Sequence, residues 1–227
     1  MEPPRHGEVT IRLAACGVCH SDLSATNGTI GYPLPLNLGH EGAGVVADVG
    51  EGVRELKPGD PVITSFVRAA DRNCACNLFR HSTRYRTEPC APATVDVTTE
   101  DQLGKALYKL TGGGADYAFD CVGLGKVTEQ AWNILKRGGM AVTVGIASAE
   151  DKIVLSSQRV AVSEKTLTGS YYGSARPQHD VPRLIGLYPA GRLKLDELIT
   201  RRYSIDEAPR AFADLEQGEA RRGVILL

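Results

Sequence analysis

The 227-residue sequence predicts an α/β chain in two parts, a small β-barrel followed by a truncated parallel sheet with flanking helices. Three observations carry this expectation. Residues 8 to 66 form short β segments punctuated by glycine, and from Thr98 onward the hydrophobic period switches to an alternation of helix and buried strand. The third observation is an omission: no buried strand in the second part is followed by a three-glycine turn that opens a helix.

In the first part, Val9-Thr10-Ile11-Arg12-Leu13 alternates, and Gly44-Val45-Val46-Ala47-Asp48-Val49-Gly50 reads as a compact strand. Lys57-Pro58-Gly59-Asp60 is a turn that feeds Pro61-Val62-Ile63. In the second part, Thr99-Glu100-Asp101 starts a helix whose Leu103, Ala106, Leu107 and Leu110 share a face, ending at Thr111-Gly112-Gly113-Gly114. A strand over 117–122, a helix from Lys126 to Arg137 closed by Gly138-Gly139, and an apolar strand over 141–146 follow. Buried strands alternating with helices predict a parallel sheet covered on both faces. A further strand over 166–171, helices around 181–188 and 205–216, and a short strand over 223–227 complete the reading. The expected boundaries are 1–67 for the barrel, 68–93 for an irregular arginine-rich lobe, 94–171 for the partial sheet and 172–227 for a C-terminal segment.

Composition excludes several classes. A net charge of −1, with Lys and Arg scattered, argues against a nucleic-acid partner. No apolar run reaches membrane-spanning length and the first residues lack a secretory pattern, so the expectation is a cytoplasmic protein without a membrane partner. In that reducing compartment the six cysteines, at 16, 19, 74, 76, 90 and 121, read as metal ligands or buried thiols rather than disulfides.

The chemistry-bearing residues cluster in two strings, Gly17-Val18-Cys19-His20-Ser21-Asp22 and Gly39-His40-Glu41-Gly42-Ala43-Gly44. A thiolate, an imidazole and a carboxylate form a normal first shell for Zn2+, and three protein ligands leave one position for a substrate oxygen. Cys19 and His40 are the best pair, Glu41 ligates directly or sits just behind the metal, and Asp22 is placed to orient the histidine. A cysteine and histidine at this spacing are, taken alone, more often simply buried; the glycine, aspartate and glutamate neighbours tilt the reading toward a metal.

With Lys57-Pro58-Gly59-Asp60, these strings make residues 8–66 resemble the GroES-like catalytic domain of the zinc-containing alcohol dehydrogenases, the medium-chain dehydrogenase/reductase family. Residues 94–227 resemble the later part of the same family's chain through Gly114-Ala115-Asp116-Tyr117-Ala118-Phe119-Asp120-Cys121-Val122-Gly123, Gly138-Gly139-Met140, Val144-Gly145 and Gly218-Glu219-Ala220-Arg221-Arg222-Gly223-Val224-Ile225. The resemblance implies a Rossmann-type second domain and oxidation of a primary or secondary alcohol to an aldehyde or ketone by hydride transfer to NAD or NADP. It implies that Cys19 and His40 are zinc ligands, that Glu41 exchanges with the bound oxygen, and that Ser21 takes the proton. His20 and Arg222 would lie near the cofactor pyrophosphate, while Val144, Gly145, Ile146 and Tyr172 would line the nicotinamide. Ser24 stands where many members carry a relay histidine, and only Cys74, Cys76 and Cys90 remain of the four-cysteine structural zinc lobe. The family commonly assembles through its cofactor domain, so a homo-oligomer is a candidate state.

The family's third catalytic zinc ligand and its first strand, glycine-rich turn and helix should follow the lobe, yet the chain passes from Cys90 almost directly to Val95-Asp96-Val97. About a hundred residues, one mononucleotide half of the fold, are missing by this reading. Cys90 or Glu41 is left to complete the zinc shell. Gly123-Leu124-Gly125-Lys126 follows a strand and opens a helix, but it lacks a third glycine and reads better as a later crossover of the same fold than as a phosphate loop. Two functions therefore stand: a shortened zinc-dependent alcohol dehydrogenase, or a noncatalytic zinc-binding or oligomerising remnant of that family.

Overall fold

The computed structural model describes residues 2–65, 103–220 and 222–227. The lobe cysteines Cys74, Cys76 and Cys90 and the start of the helix expected from Thr99 lie outside them. The chain divides into two compact units, Met1–Arg72 with Arg176–Leu227, and Asn73–Ala175. No helix among the described residues is long and apolar enough to cross a membrane.

The first unit is built on β1 (Val9–Gly17), α1 (His20–Thr26), β2 (Gly42–Val49) and β3 (Pro61–Ile63), joined by chain from the other end of the sequence. That chain supplies α5 (Pro177–Leu187), β7 (Arg201–Ser204), α6 (Ala208–Glu216) and β8 (Gly223–Leu226). Among the described residues the strands form a five-stranded sheet in the order β3-β2-β1-β8-β7 rather than a closed ring. Strand β1 runs antiparallel to β2, with Cys16 opposite Gly42, and to β8, with Gly17 opposite Val224. The core on this sheet gathers Val18, Tyr203, Ala211, Leu215 and Ile225. Its polar anchor is Asp214, which accepts hydrogen bonds from the Tyr203 hydroxyl (2.8 Å) and the Arg201 guanidinium. The Tyr203 bond, then Arg201, holds the Asp214 carboxyl below its ordinary range against the opposing effect of desolvation.

The second unit contains α2 (Leu103–Leu110), β4 (Ala115–Asp120), α3 (Gly125–Asn133), β5 (Leu135–Thr143), α4 (Ser157–Ser163) and β6 (Thr166–Gly169). Among the described residues its strands form a parallel three-stranded sheet, β4-β5-β6. Ala118, Ala131, Trp132, Leu135 and Ala141 pack α3 onto β4 and β5.

Several expected boundaries move. Helix α3 stops at Asn133, not Arg137, because Leu135, 2% exposed, already pairs with Ala115 at the start of β5. The diglycine 138–139 marks a register shift inside that strand, between the pairs at Ala115 and Tyr117, rather than a helix end. Strand β5 in turn stops at Thr143, since the Val144 and Gly145 amides both turn onto the Asp120 carbonyl (2.8 and 3.0 Å). Strand β6 ends at Gly169. Among the described residues one face of β4 is left open rather than covered: Tyr117 and Phe119 alternate with buried Ala118 and Asp120 and are each 64% exposed.

A candidate metal centre at the end of the first sheet

Strand pairing places the metal strings together. Because Cys16 sits opposite Gly42, the end of β1 and the start of β2 are neighbours, and the Gly17 amide donates to the Glu41 carbonyl (3.1 Å). Cys19 is the N-cap residue of α1, with extended backbone that turns the chain out of the sheet. Thr64 ties down the second string: its hydroxyl accepts from the Gly42 amide (2.8 Å) and lies within donating distance of the His40 carbonyl (3.2 Å). Ligand atoms of Cys19, His40 and Glu41, all half-buried, lie within 4.8 Å of one another.

Asp22, 5% exposed on the first turn of α1, organises this cluster. Its Oδ1 accepts from the Gly39 amide and from His40 Nδ1, both at 3.0 Å. A carboxylate facing Nδ1 makes that nitrogen the protonated one, so Nε2 carries the imidazole lone pair. The other oxygen, Oδ2, is buried without a hydrogen-bond partner among the described residues, which keeps the negative field behind His40.

Glu41 is fixed from two sides. A Cβ on Gly17 would come within 2.2 Å of Glu41 Oε2, so glycine at 17 leaves the carboxylate where it stands and a larger residue would push that side chain aside. The same oxygen accepts from Arg222 Nη1 at 2.6 Å, and Arg222 is itself held by Thr200, whose hydroxyl meets its backbone amide and carbonyl (both 3.2 Å). Sequence reading assigned Arg222 to a cofactor and did not find its pairing with Glu41, 181 residues away; the roles of Thr64 and Thr200 were missed as well. Nearby, burial pushes the Cys16 thiol up, and the carboxylates of Asp22 and Glu41 add to the rise against a backbone hydrogen bond at Glu41.

Sulfur, imidazole nitrogen and carboxylate oxygen in one half-buried cluster, with a carboxylate behind the histidine, fit zinc in both softness and number. His20 and Ser21 occupy the first turn of α1, beside this cluster in sequence. Val144, Gly145, Ile146 and Tyr172 belong to the second unit. There the first two follow β5 with their amides on Asp120, Ile146 is exposed, and Tyr172 has a positive φ of 55° in a short 3-10 turn.

The turn at 123–125 does not fit a phosphate. Both of its glycine amides, and that of Val122 before it, are already filled by the chain's own carboxylates: Val122 and Gly123 donate to Asp120 Oδ1 (2.9 and 3.1 Å), and Gly125 to Asp151 Oδ2 (2.7 Å). Its glycines answer to backbone crowding as well. A Cβ on Gly123 would meet the Ile146 amide at 2.7 Å, and one on Gly125 the Lys152 carbonyl at 2.2 Å. The turn is a tightly packed strand-to-helix crossover, with Asp120, 1% exposed, also accepting from the Thr128 hydroxyl (2.6 Å).

Comparison with known proteins agrees with this architecture. A family model described as the alcohol dehydrogenase GroES-like domain matches residues 5–119, and one described as zinc-binding dehydrogenase matches residues 91–189. The chain is 28% identical to the NDMA-dependent alcohol dehydrogenase of Amycolatopsis methanolica, with 100% of this chain and 93% of that protein covered. It is 25% identical to the alcohol dehydrogenase class-3 of Cereibacter sphaeroides, covering 100% of this chain and 94% of that one. The first of these alignments runs over 346 positions against 227 residues here, so roughly a third of its positions have no counterpart in this chain. Among solved structures, the benzyl alcohol dehydrogenase of Acinetobacter calcoaceticus shares the fold with a TM-score of 0.86 at 18% identity, covering 100% of this chain and 93% of that one. The paired motifs, the sheet that carries them and the two matched models together make this chain a member of the zinc-type medium-chain alcohol dehydrogenase family.

Proposed function

We propose that the chain is a cytoplasmic zinc-dependent alcohol dehydrogenase in shortened form, oxidising a primary or secondary alcohol to an aldehyde or ketone with NAD or NADP as hydride acceptor. The observation that carries this reading is the convergence of Cys19, His40 and Glu41 within 4.8 Å, with Asp22 bonded behind the histidine. Zinc held by these three supplies Lewis acidity that makes an alcohol hydroxyl easier to deprotonate. Ser21, on the turn that follows Cys19, receives the proton; Asp22 holds His40 in the tautomer that presents Nε2; Arg222 neutralises Glu41 and fixes its carboxylate. By family resemblance His20 and Arg222 serve the cofactor pyrophosphate, and Val144, Gly145, Ile146 and Tyr172 the nicotinamide. For Arg222 that role requires release from Glu41.

The nucleotide is the part of the reading the described residues fit least well. The 123–125 turn between β4 and α3, where a glycine pair stands between a parallel strand and a helix, has both glycine amides closed by Asp120 and Asp151. That observation favours a second reading, a noncatalytic zinc-binding or oligomerising remnant. Titration of zinc-loaded protein with NADH and NADPH, read by cofactor fluorescence and quenching of Trp132, separates the two. Saturable binding followed by alcohol-dependent cofactor reduction is expected for the dehydrogenase; bound zinc with no affinity for either nucleotide leaves the remnant.

A further inference from the structure

We propose that Thr64 is a positioning residue for the metal centre: its hydroxyl fixes the bend in the chain that lets two consecutive residues, His40 and Glu41, serve one ion. The inference rests on the zinc site proposed above. In extended backbone neighbouring side chains point to opposite faces, so a plain strand through 40–41 would send one of the two away from Cys19. Ligand atoms of both nonetheless lie within 4.8 Å of each other and of Cys19. The chain achieves this by bending at Glu41, one residue before β2 begins at Gly42, and Gly39 enters the bend with a φ of 101°. A bend between two glycines has little stiffness of its own.

Thr64 spans that bend. It follows β3, whose register sets Ile63 opposite Ala43, so it stands beside Gly42. Its amide donates to the Gly42 carbonyl (2.8 Å), and its hydroxyl accepts from the Gly42 amide (2.8 Å). The hydroxyl proton has two acceptors within reach, the His40 carbonyl at 3.2 Å and the Gly42 carbonyl at 3.3 Å. The Gly42 carbonyl is already served by the Thr64 amide, which directs the proton to His40, the shorter contact. One side-chain oxygen thus joins the peptide groups on both sides of Glu41. From the β1 side the Gly17 amide holds the Glu41 carbonyl (3.1 Å). Thr64 also lies close enough that a Cβ on Gly42 would come within 3.2 Å of its hydroxyl. Asp22 meets the imidazole and Arg222 meets the carboxylate; Thr64 fixes the backbone between these two side chains.

The test substitutes Thr64 in the full chain and measures zinc affinity by competition with a chelator, beside the visible absorption of cobalt(II) bound in place of zinc, which reports ligand geometry. Thr64→Val keeps the shape of the side chain and removes the hydroxyl. It should weaken zinc binding by roughly tenfold or more and shift the cobalt bands, while Thr64→Ser should keep both at their parental values. Three results overturn the proposal: parental affinity in Thr64→Val, weakened affinity with unmoved cobalt bands, or a Thr64→Ser chain as impaired as Thr64→Val. The second assigns the effect to general stability and the third to the methyl group. A parent chain that takes up neither ion overturns the zinc reading itself, and the role of Thr64 with it. If circular dichroism shows that Thr64→Val fails to fold, Thr64→Ser and Thr64→Ala, which differ only in the hydroxyl, make the same comparison.

Discussion

The two units treat their sheets differently. In the first, β1 is flanked on both sides, by β2 from nearby sequence and by β8 from far along the chain, and the metal cluster sits where these strands end. In the second, three parallel strands among the described residues come from one uninterrupted stretch, and there the sheet stops at β4 with aromatic side chains in the open. Both units bury a small apolar core, but only the first surrounds its functional residues with strands on each side. The contrast teaches that shortening a two-part protein need not damage both parts equally. The candidate ligands within 19–41 depend on local strands and a distant clamp that are retained, whereas the second sheet ends, among the described residues, at β4.

The strongest way to test this contrast is to remove a ligand. Cys19→Ser and His40→Ala should reduce bound zinc from about one per chain to near none by elemental analysis, since each takes away one of the three proposed ligands. Circular dichroism of the second unit's helices should stay unchanged, and a collapse of both units together would erase the distinction.

Next in size are two glycine substitutions aimed at one unit each. A Cβ on Gly44 would lie 2.3 Å from the Arg12 carbonyl, and one on Gly145 would lie 2.1 Å from the Gly123 amide. Gly44→Ala and Gly145→Ala should each lower stability by roughly 3 kcal/mol, because backbone cannot yield as a flexible side chain can. In thermal melts only Gly44→Ala should also lower zinc affinity, since β1 and β2 carry the metal strings.

The smallest effect sharpens the comparison through pH. Asp214 anchors β7 to α6 in the first unit, and its carboxyl is held below its ordinary value by the Tyr203 hydroxyl and then Arg201. A depressed acid stabilises the fold above the unfolded pKa, near 4, and that contribution is lost as pH falls through the lower folded value. Melting temperature should therefore drop on acidification below about pH 4, and Asp214→Asn should flatten that part of the profile while lowering stability at neutral pH. A transition assigned to the second unit should not share this dependence.

Much of this was legible in the sequence where chemistry and periodicity were local. The alternation in 9–13 and the compact stretch at 44–50 marked β1 and β2, and the strings around Cys19 and His40 named the side chains that the structure brings within 4.8 Å. Three features resisted for physical reasons. Strand β7 is four residues of mixed polarity whose partner β8 lies twenty residues on, so it has no pattern of its own. Helix α4 contains no buried residue and is signalled only by its Ser156 cap, which accepts from the Arg159 amide. The Gly138-Gly139 pair looked like a helix stop because diglycine breaks helices and bends strands alike, and only the pairing of Leu135 with Ala115 tells the two apart. At the site, the Arg222–Glu41 clamp was hidden by distance along the chain, since no window of sequence contains both residues.

That clamp also sets a timetable. The candidate ligands from Cys19 to Glu41 leave the ribosome early, on a segment whose strands β1, β2 and β3 pair among themselves. Strand β8 and Arg222 emerge only after the whole second unit, which is inserted between the two pieces of the first. A nascent chain thus presents thiol, imidazole and carboxylate long before the guanidinium that steadies Glu41 exists, and docking β8 onto β1 is the late, long-loop step that finishes the metal centre.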